Sequence, residues 1–196
     1  MTLIAATNNP GKLKELRRLL EPEGFEILSM KQANITAEVQ ENAETYEGNA
    51  EIKALAVSEA AGMAVIADDS GLEVDALGGS PGIHTARYAG AGASSSQCIS
   101  KLLSAMRGVP PERRTARFVC SICCIIPDKR VIRTTGRCEG YISQNISAGV
   151  NGFGYDPVFI EAETGIAFSQ LTDREKDRLS HRGKAIRELI VKLKEF

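Results

Sequence analysis

The sequence contains no tryptophan and only two histidines, with four tyrosines and six phenylalanines among 196 residues. A flat ligand that is held by stacking must therefore rest on Phe or Tyr. His84 and His181 stand far apart in the chain, so a histidine-paired metal centre is not expected and His84 reads as a loop residue. Net charge is also scarce: 24 basic residues against 25 acidic ones leave a formal charge of -1, with no bulk attraction for polyanions, so nucleic acid is not an expected partner. No apolar run approaches membrane-spanning length, and the first seven residues are too short a run for a signal peptide, which points to a cytoplasmic protein with no membrane partner. The five cysteines (98, 120, 123, 124 and 138) are odd in number, and no second ligand pair follows Cys120 and Cys123 at zinc-site spacing. Three of them lie in the β-branched, apolar run 118–126, which reads as a buried, reduced strand. What remains, 43% hydrophobic and 25% charged residues, is ordinary for a globular protein, and the length suits a single folding unit over residues 1–196.

The hydrophobic pattern predicts an α/β chain. Leu3–Ala6 reads as a short buried strand, followed by the polar turn Thr7–Gly11 and a helix with apolar spacing at Leu13, Leu16, Leu19 and Leu20. Asn9 suits a cap and Pro10 the first helical position. Residues 35–44 are polar and irregular. A second helix is predicted over Tyr46–Ala61, ended by Gly62, with Asn49 and Lys53 four apart on one flank. The run Met63–Ala67 forms a strand that carries Asp68 and Asp69 at its end, with Ser70-Gly71 predicted to stop it. A further helix is predicted over Ser96–Met106. Residues 116–126 and 131–138 read as an antiparallel pair around the turn 127–130, and a closing amphipathic helix carries Ile186, Leu189, Ile190 and Leu193. The sheet is therefore predicted to be mixed.

Chemistry concentrates at a few places. A strand alternates its side chains across the sheet, so one of Asp68 and Asp69 can face a ligand while the other turns back into supporting structure. In open α/β sheets ligands gather beyond the carboxyl ends of strands. The Thr7–Lys12 turn between strand and helix suits an anion or a plain capped turn. It is not a Walker A loop, since the first glycine and the Ser/Thr after lysine are absent. Lys12, Lys14, Asn49 and Lys53 add donors. Glu41 is a candidate partner for Asp69 around magnesium, which keeps several waters and takes one or two protein carboxylates. Gly152–Pro157 combines glycines, the aromatics Phe153 and Tyr155, and Asp156, as a base-binding turn or a core turn. Ser180-His181-Arg182, with Lys176 upstream, clusters donors at a helix start.

Read together and in order, 7–12 (Thr-Asn-Asn-Pro-Gly-Lys), 67–72 (Ala-Asp-Asp-Ser-Gly-Leu), 81–88 (Pro-Gly-Ile-His-Thr-Ala-Arg-Tyr), 153–157 (Phe-Gly-Tyr-Asp-Pro) and 180–182 (Ser-His-Arg) resemble the Ham1/inosine triphosphate pyrophosphatase family over nearly the whole chain. The resemblance implies an elongated mixed β-sheet with helices on two lobes around a central cleft, commonly in a homodimer. It also implies hydrolysis of inosine, deoxyinosine and xanthosine triphosphates to the monophosphate and pyrophosphate, with Mg2+ or Mn2+. Carried over by residue, Thr7, Asn8, Asn9, Pro10, Gly11 and Lys12 look like the triphosphate loop. Asp69 looks like the general base and a metal ligand, with Glu41 the second acid. Lys53 would balance phosphate charge, and Ser70, Phe153, Gly154, Tyr155, Asp156, Lys176, His181 and Arg182 match further substrate contacts. The chain departs from the family at Gly48, where glutamate is usual.

Base choice follows from edges: hypoxanthine and xanthine carry an oxygen at position 6 where adenine carries an amino group. An arginine there, being only a donor, would reject adenine by roughly 10⁴-fold. On this reading Arg182→Ala loses inosine triphosphate turnover at near-normal stability. A non-catalytic purine-nucleotide sensor and a Maf-like pyrophosphatase with another nucleotide preference are the alternatives.

Overall fold

The computed structural model describes residues 1–37, 39–127 and 130–195. Its strands and helices follow as β1 (Thr2–Ala5), α1 (Pro10–Leu20), β2 (Glu26–Ser29), α2 (Tyr46–Ala61), β3 (Val65–Val74), β4 (Pro81–Gly82), α3 (Ser95–Ala105), β5 (Thr115–Ile125), β6 (Val131–Ile142), β7 (Phe159–Glu161), α4 (Asp173–Leu179) and α5 (His181–Lys194), with short 3₁₀ turns between them. The strand order is β2-β1-β3-β5-β6-β7, and β4 pairs with β3. β1 runs parallel to β2 and β3, whereas β4 and β7 pair antiparallel with β3 and β6, so the sheet is mixed as the pattern predicted.

The chain divides into two compact units, residues 1–69, 120–136 and 182–196 forming the first and residues 70–119 and 137–181 the second. In the first unit β1 and the start of β3 are clothed on both faces. Leu3, Ala5 and Ile66 pack with Leu16 and Leu20 of α1 and Ile186 and Leu189 of α5, while Ile4, Val65 and Ala67 pack with Ala50, Ala54 and Val57 of α2. The second unit has its own core of Leu72, Leu102, Met106, Phe118, Phe159, Phe168 and their neighbours. β6 alternates buried and exposed positions along its whole length, the mark of a strand with one wet face, whereas β5 is buried almost throughout. That burial takes in Cys120, Cys123 and Cys124. All five cysteines are buried and reduced, as the composition implied.

Helix boundaries follow local chemistry. Asn9 caps α1 by accepting from the Gly11 and Lys12 amides, with Pro10 in the first turn, and Thr45 and Gly62 bracket α2. α3 opens one residue earlier than predicted because Ser94 and Gln97 form a reciprocal capping box. One expectation fails: Ser70-Gly71 does not stop β3, which continues to Val74. The reason is pairing beyond the glycine, where Leu72 and Glu73 lie opposite Gly82 and Pro81 of β4, and sheet hydrogen bonds override a weak local breaker. Of the expected 127–130 turn, Asp128 and Lys129 lie outside the described residues, as does Glu38 of the irregular 35–44 stretch.

Candidate active site

The strand alternation at 68–69 separates two charge systems within the first unit. Asp68 shares the Ile66 face, toward α1 and α5, and is 1% exposed. Its Oδ2 accepts from Arg182 Nε at 3.2 Å and from the Arg182 terminal nitrogen at 2.9 Å, and Lys12 Nζ stands 3.1 Å away. Arg182 also donates to Glu15, a buried residue of α1. Burial opposes the Asp68 charge, but Lys12 and Arg182 outweigh it and hold its carboxyl well below the usual carboxylate range. Asp68 is therefore a fixed anion, unsuited to taking a proton near neutral pH.

Asp69 shares the Val65 and Ala67 face, toward α2, and is 7% exposed. Its Oδ1 lies 3.0 Å from Lys53 Nζ, which also lies 3.2 Å from Glu41 Oε2, so one ammonium joins both acids. Burial pushes the Asp69 carboxyl up, Lys53 and Lys12 pull it down, and the net direction is upward. Burial likewise opposes the Lys53 charge, but Asp69, Asp68 and Glu41 together raise its pKa above the ordinary value. Two neighbouring aspartates thus acquire opposite characters from the faces they occupy. Asp69 has the one that suits a general base.

Among the described residues no three His, Cys, Asp or Glu side chains cluster as a metal cage. The Glu41–Asp69 pair fits a different kind of site. A cation already sits between these two carboxylates in the form of the Lys53 ammonium, and two oxygen-donor side chains suffice for an ion that takes its other ligands from water and phosphate.

The Thr7–Lys12 turn, expected to suit an anion or a plain cap, is built as a cap. The Asn9 amide donates to Thr7 Oγ1, and the Gly11 and Lys12 amides donate to Asn9 Oδ1, so these N–H groups are spent on the cap. The donors this turn has left for an anion are the Lys12 ammonium, itself 3.1 Å from Asp68, and the α1 dipole.

In the second unit, Asp156 Oδ2 accepts from the Phe153 amide at 2.7 Å and from Lys176 Nζ at 2.6 Å, and Lys176 and Asp156 are both buried. Lys176 Nζ also sits 4.8 Å from the centre of the Phe153 ring. Gly152 has a positive φ of 78°, and a Cβ on it would overlap the Asp156 carboxylate. That glycine therefore admits the chain's own aspartate, where the sequence suggested room for a ligand. Tyr155 is buried in the core, and its hydroxyl donates to the Thr85 carbonyl at 3.0 Å, whereas Phe153 is half-buried. His181 stacks on Phe118 at 4.7 Å between centroids, buried like Ser180 before it. Gly154 and Ser70 are half-buried, and His84 is an exposed loop residue as expected.

Arg182, expected from the sequence to donate to a base edge, is 1% exposed, and its guanidinium serves Asp68 and Glu15. Glu15 was missed altogether. The available signal was a carboxylate flanked on the helix by Leu16 and Leu19, on the side that packs inward. Asn49 was noticed only as a donor on the helix flank. It is buried, and it bonds to Ala43 as well as approaching Asp69 Oδ2 at 3.5 Å.

Against known proteins, a family model described as the Ham1 family matches residues 3–192. The dITP/XTP pyrophosphatase of Bacillus subtilis (strain 168) is 44% identical over 186 residues, 95% of this chain and 93% of that protein. Among solved structures, the Staphylococcus aureus Ham1 protein superposes with a TM-score of 0.86 at 36% identity, covering 100% of this chain and 99% of its own. A HAM1 protein from Coxiella burnetii gives 0.88 at 32% identity, with 100% of both chains covered.

Proposed function

The chain belongs to the Ham1 family, and on that premise we propose how it hydrolyses non-standard purine nucleoside triphosphates to the monophosphate and pyrophosphate. The observation that carries the proposal is the meeting of Asp69, Glu41 and Lys53, two acids on one cation at the carboxyl end of the parallel part of the sheet. Water attacks the α-phosphorus, the bond from that phosphorus to the bridging oxygen breaks, and pyrophosphate leaves with the electron pair. Asp69 receives the proton from the water, a task helped by its raised pKa. Lys12 and Lys53 offset phosphate charge, and Thr7 to Gly11 shape the turn that carries Lys12.

The enzyme works with a divalent cation, which we take to be Mg2+, with Mn2+ able to serve. Glu41 and Asp69 would hold it, and when bound it supplies a more acidic water and neutralises phosphate charge.

Phe153 offers the stacking ring, and Asp156 fixes its backbone. Lys176 takes over the edge-reading role first given to Arg182. Its ammonium is only a donor, so it donates to an oxygen at position 6 and meets a second donor in adenine. Gly154, Tyr155, Ser70 and His181 act by shaping this region, and Arg182 acts through Asp68. We further propose that residues 1–196 fold as one domain, since β3, β5 and β6 each supply residues to both units. A cytoplasmic location and a homodimer complete the proposal. No helix among the described residues is long and apolar enough to cross a membrane.

Asp69→Asn tests the reading. Pyrophosphate release from inosine, deoxyinosine and xanthosine triphosphates should be lost while nucleotide binding stays measurable by calorimetry. Turnover that survives the substitution sinks the assignment of the base, and a wild type without divalent-dependent turnover favours the sensor alternative.

A further inference from the structure

The segment that carries Glu41 is attached to α2 by a backbone grip. Asn49 Oδ1 accepts from the Ala43 amide at 3.0 Å, and Asn49 Nδ2 donates to the Ala43 carbonyl at 3.3 Å. The side-chain amide thus pairs with both polar groups of one backbone residue. Asparagine can do this because it carries a donor and an acceptor together, which neither aspartate nor alanine does. The same Nδ2 lies 3.5 Å from Asp69 Oδ2, and Lys53, one turn further along the helix, holds Glu41 and Asp69 by their carboxylates. One flank of α2 therefore fixes both the backbone near Glu41 and the acid itself.

Gly48 makes the grip possible. A Cβ at this position would lie 2.7 Å from the Ala43 Cβ and 3.1 Å from Thr45 Oγ1. An alanine Cβ has no rotamer by which to escape, so while residue 43 is alanine, as in this chain, a side chain at 48 displaces the backbone at 43. Glycine in a helix costs up to about 1 kcal/mol relative to alanine, and here the cost is tied to a close approach.

We infer that Asn49 is a positioning residue that, through its grip on Ala43 across the space left by Gly48, sets the distance of Glu41 from Asp69 and thereby the affinity of this acid pair for a divalent cation. The inference rests on the reading of Glu41 and Asp69 as cation ligands. Hydrogen-bonded groups behind metal ligands influence affinity by about 10–100-fold, which sets the size of the effect.

The test uses Mn2+ alone as the probe, titrated onto the full chain and followed by electron paramagnetic resonance, beside the Mg2+ dependence of turnover and thermal unfolding without metal. Asn49→Ala and Gly48→Ala should each weaken Mn2+ binding by about tenfold or more. Both should raise the half-activating Mg2+ concentration, and Gly48→Ala, which touches neither acid, should leave kcat at saturating Mg2+ close to the wild-type value. Ala43→Gly combined with Gly48→Ala removes the collision and should restore Mn2+ affinity, which a general loss of stability would not do. If Asn49→Ala does not fold, the Gly48 pair of variants decides the matter. Wild-type Mn2+ binding that Glu41→Gln weakens, together with unchanged affinity in Gly48→Ala or no rescue by Ala43→Gly, overturns this inference alone. Absence of Mn2+ binding by the wild type overturns the ligand reading and this inference together.

Discussion

Arg182→Ala should unfold far more easily than the wild type, the opposite of what its sequence context suggests. The guanidinium joins Asp68 and Glu15, both buried, and Lys12 remains close to Asp68 alone. Removal of one side of a buried ion pair costs about 3–5 kcal/mol, because the buried carboxylates left behind lose the guanidinium that offset their desolvation. That is a large share of the roughly 5–15 kcal/mol that holds a domain of ordinary stability folded. The loss should also depend on pH in a stated direction. An abandoned carboxyl takes up a proton on folding, so the folded state binds more protons than the unfolded one. Stability then rises as pH falls, by up to about 1.4 kcal/mol per unit. Urea unfolding followed by circular dichroism at pH 7.5 and 5.5 reads both effects, each pH with its own wild-type control. The deficit should shrink at the lower pH. Arg182→Met with Asp68→Asn and Glu15→Gln removes all three charges and should recover much of the loss, since a network replaced as a whole is far less costly than one left half paired. A deficit below about 1 kcal/mol that is the same at both pH values is the behaviour of a surface pair, and it would refute the reasoning.

Three other outcomes follow from the same geometry. Asp68 has a depressed pKa in the folded state, so its contribution to stability is complete above its ordinary value of 3.8 and is lost as pH falls below it. Asp68→Asn should therefore show a flatter acid unfolding curve in that window, and curves parallel to the wild type would contradict this. Lys176→Met should narrow the preference for inosine over adenosine triphosphate, measured as the ratio of kcat/KM values; since Asp156 is left buried without its ammonium, the Lys176→Met, Asp156→Asn variant is measured beside it. An unchanged ratio in both removes Lys176 as the edge reader. Burial pushes the Cys120 and Cys124 thiols up to about 12 and Cys123 to about 11, so the native protein should resist iodoacetamide at neutral pH and react at all five cysteines in urea, as mass spectrometry would count. Rapid native labelling at Cys120 or Cys124 would show that the strand is open.

The sequence by itself determined most of the long elements and pointed to Asp68 and Asp69. Asn9 and Pro10 placed the start of α1 and Gly62 the end of α2 because caps act over three or four residues, and the period-two rule divided Asp68 from Asp69 across the strand. Tertiary structure decided the rest, because burial and charge pairing join residues that local patterns keep apart. Glu15 and Arg182 lie 167 residues apart, and no spacing rule connects them; only the tertiary structure brings them together beside Asp68. Gly152 and Gly48 looked like loop and helix irregularities, and their meaning lies in the Asp156 carboxylate and the Ala43 methyl group that occupy the space where a side chain would be. Which aspartate keeps its charge and which can take a proton is likewise a property of the face each occupies. The two residues are chemically identical, and the cations around them make the difference.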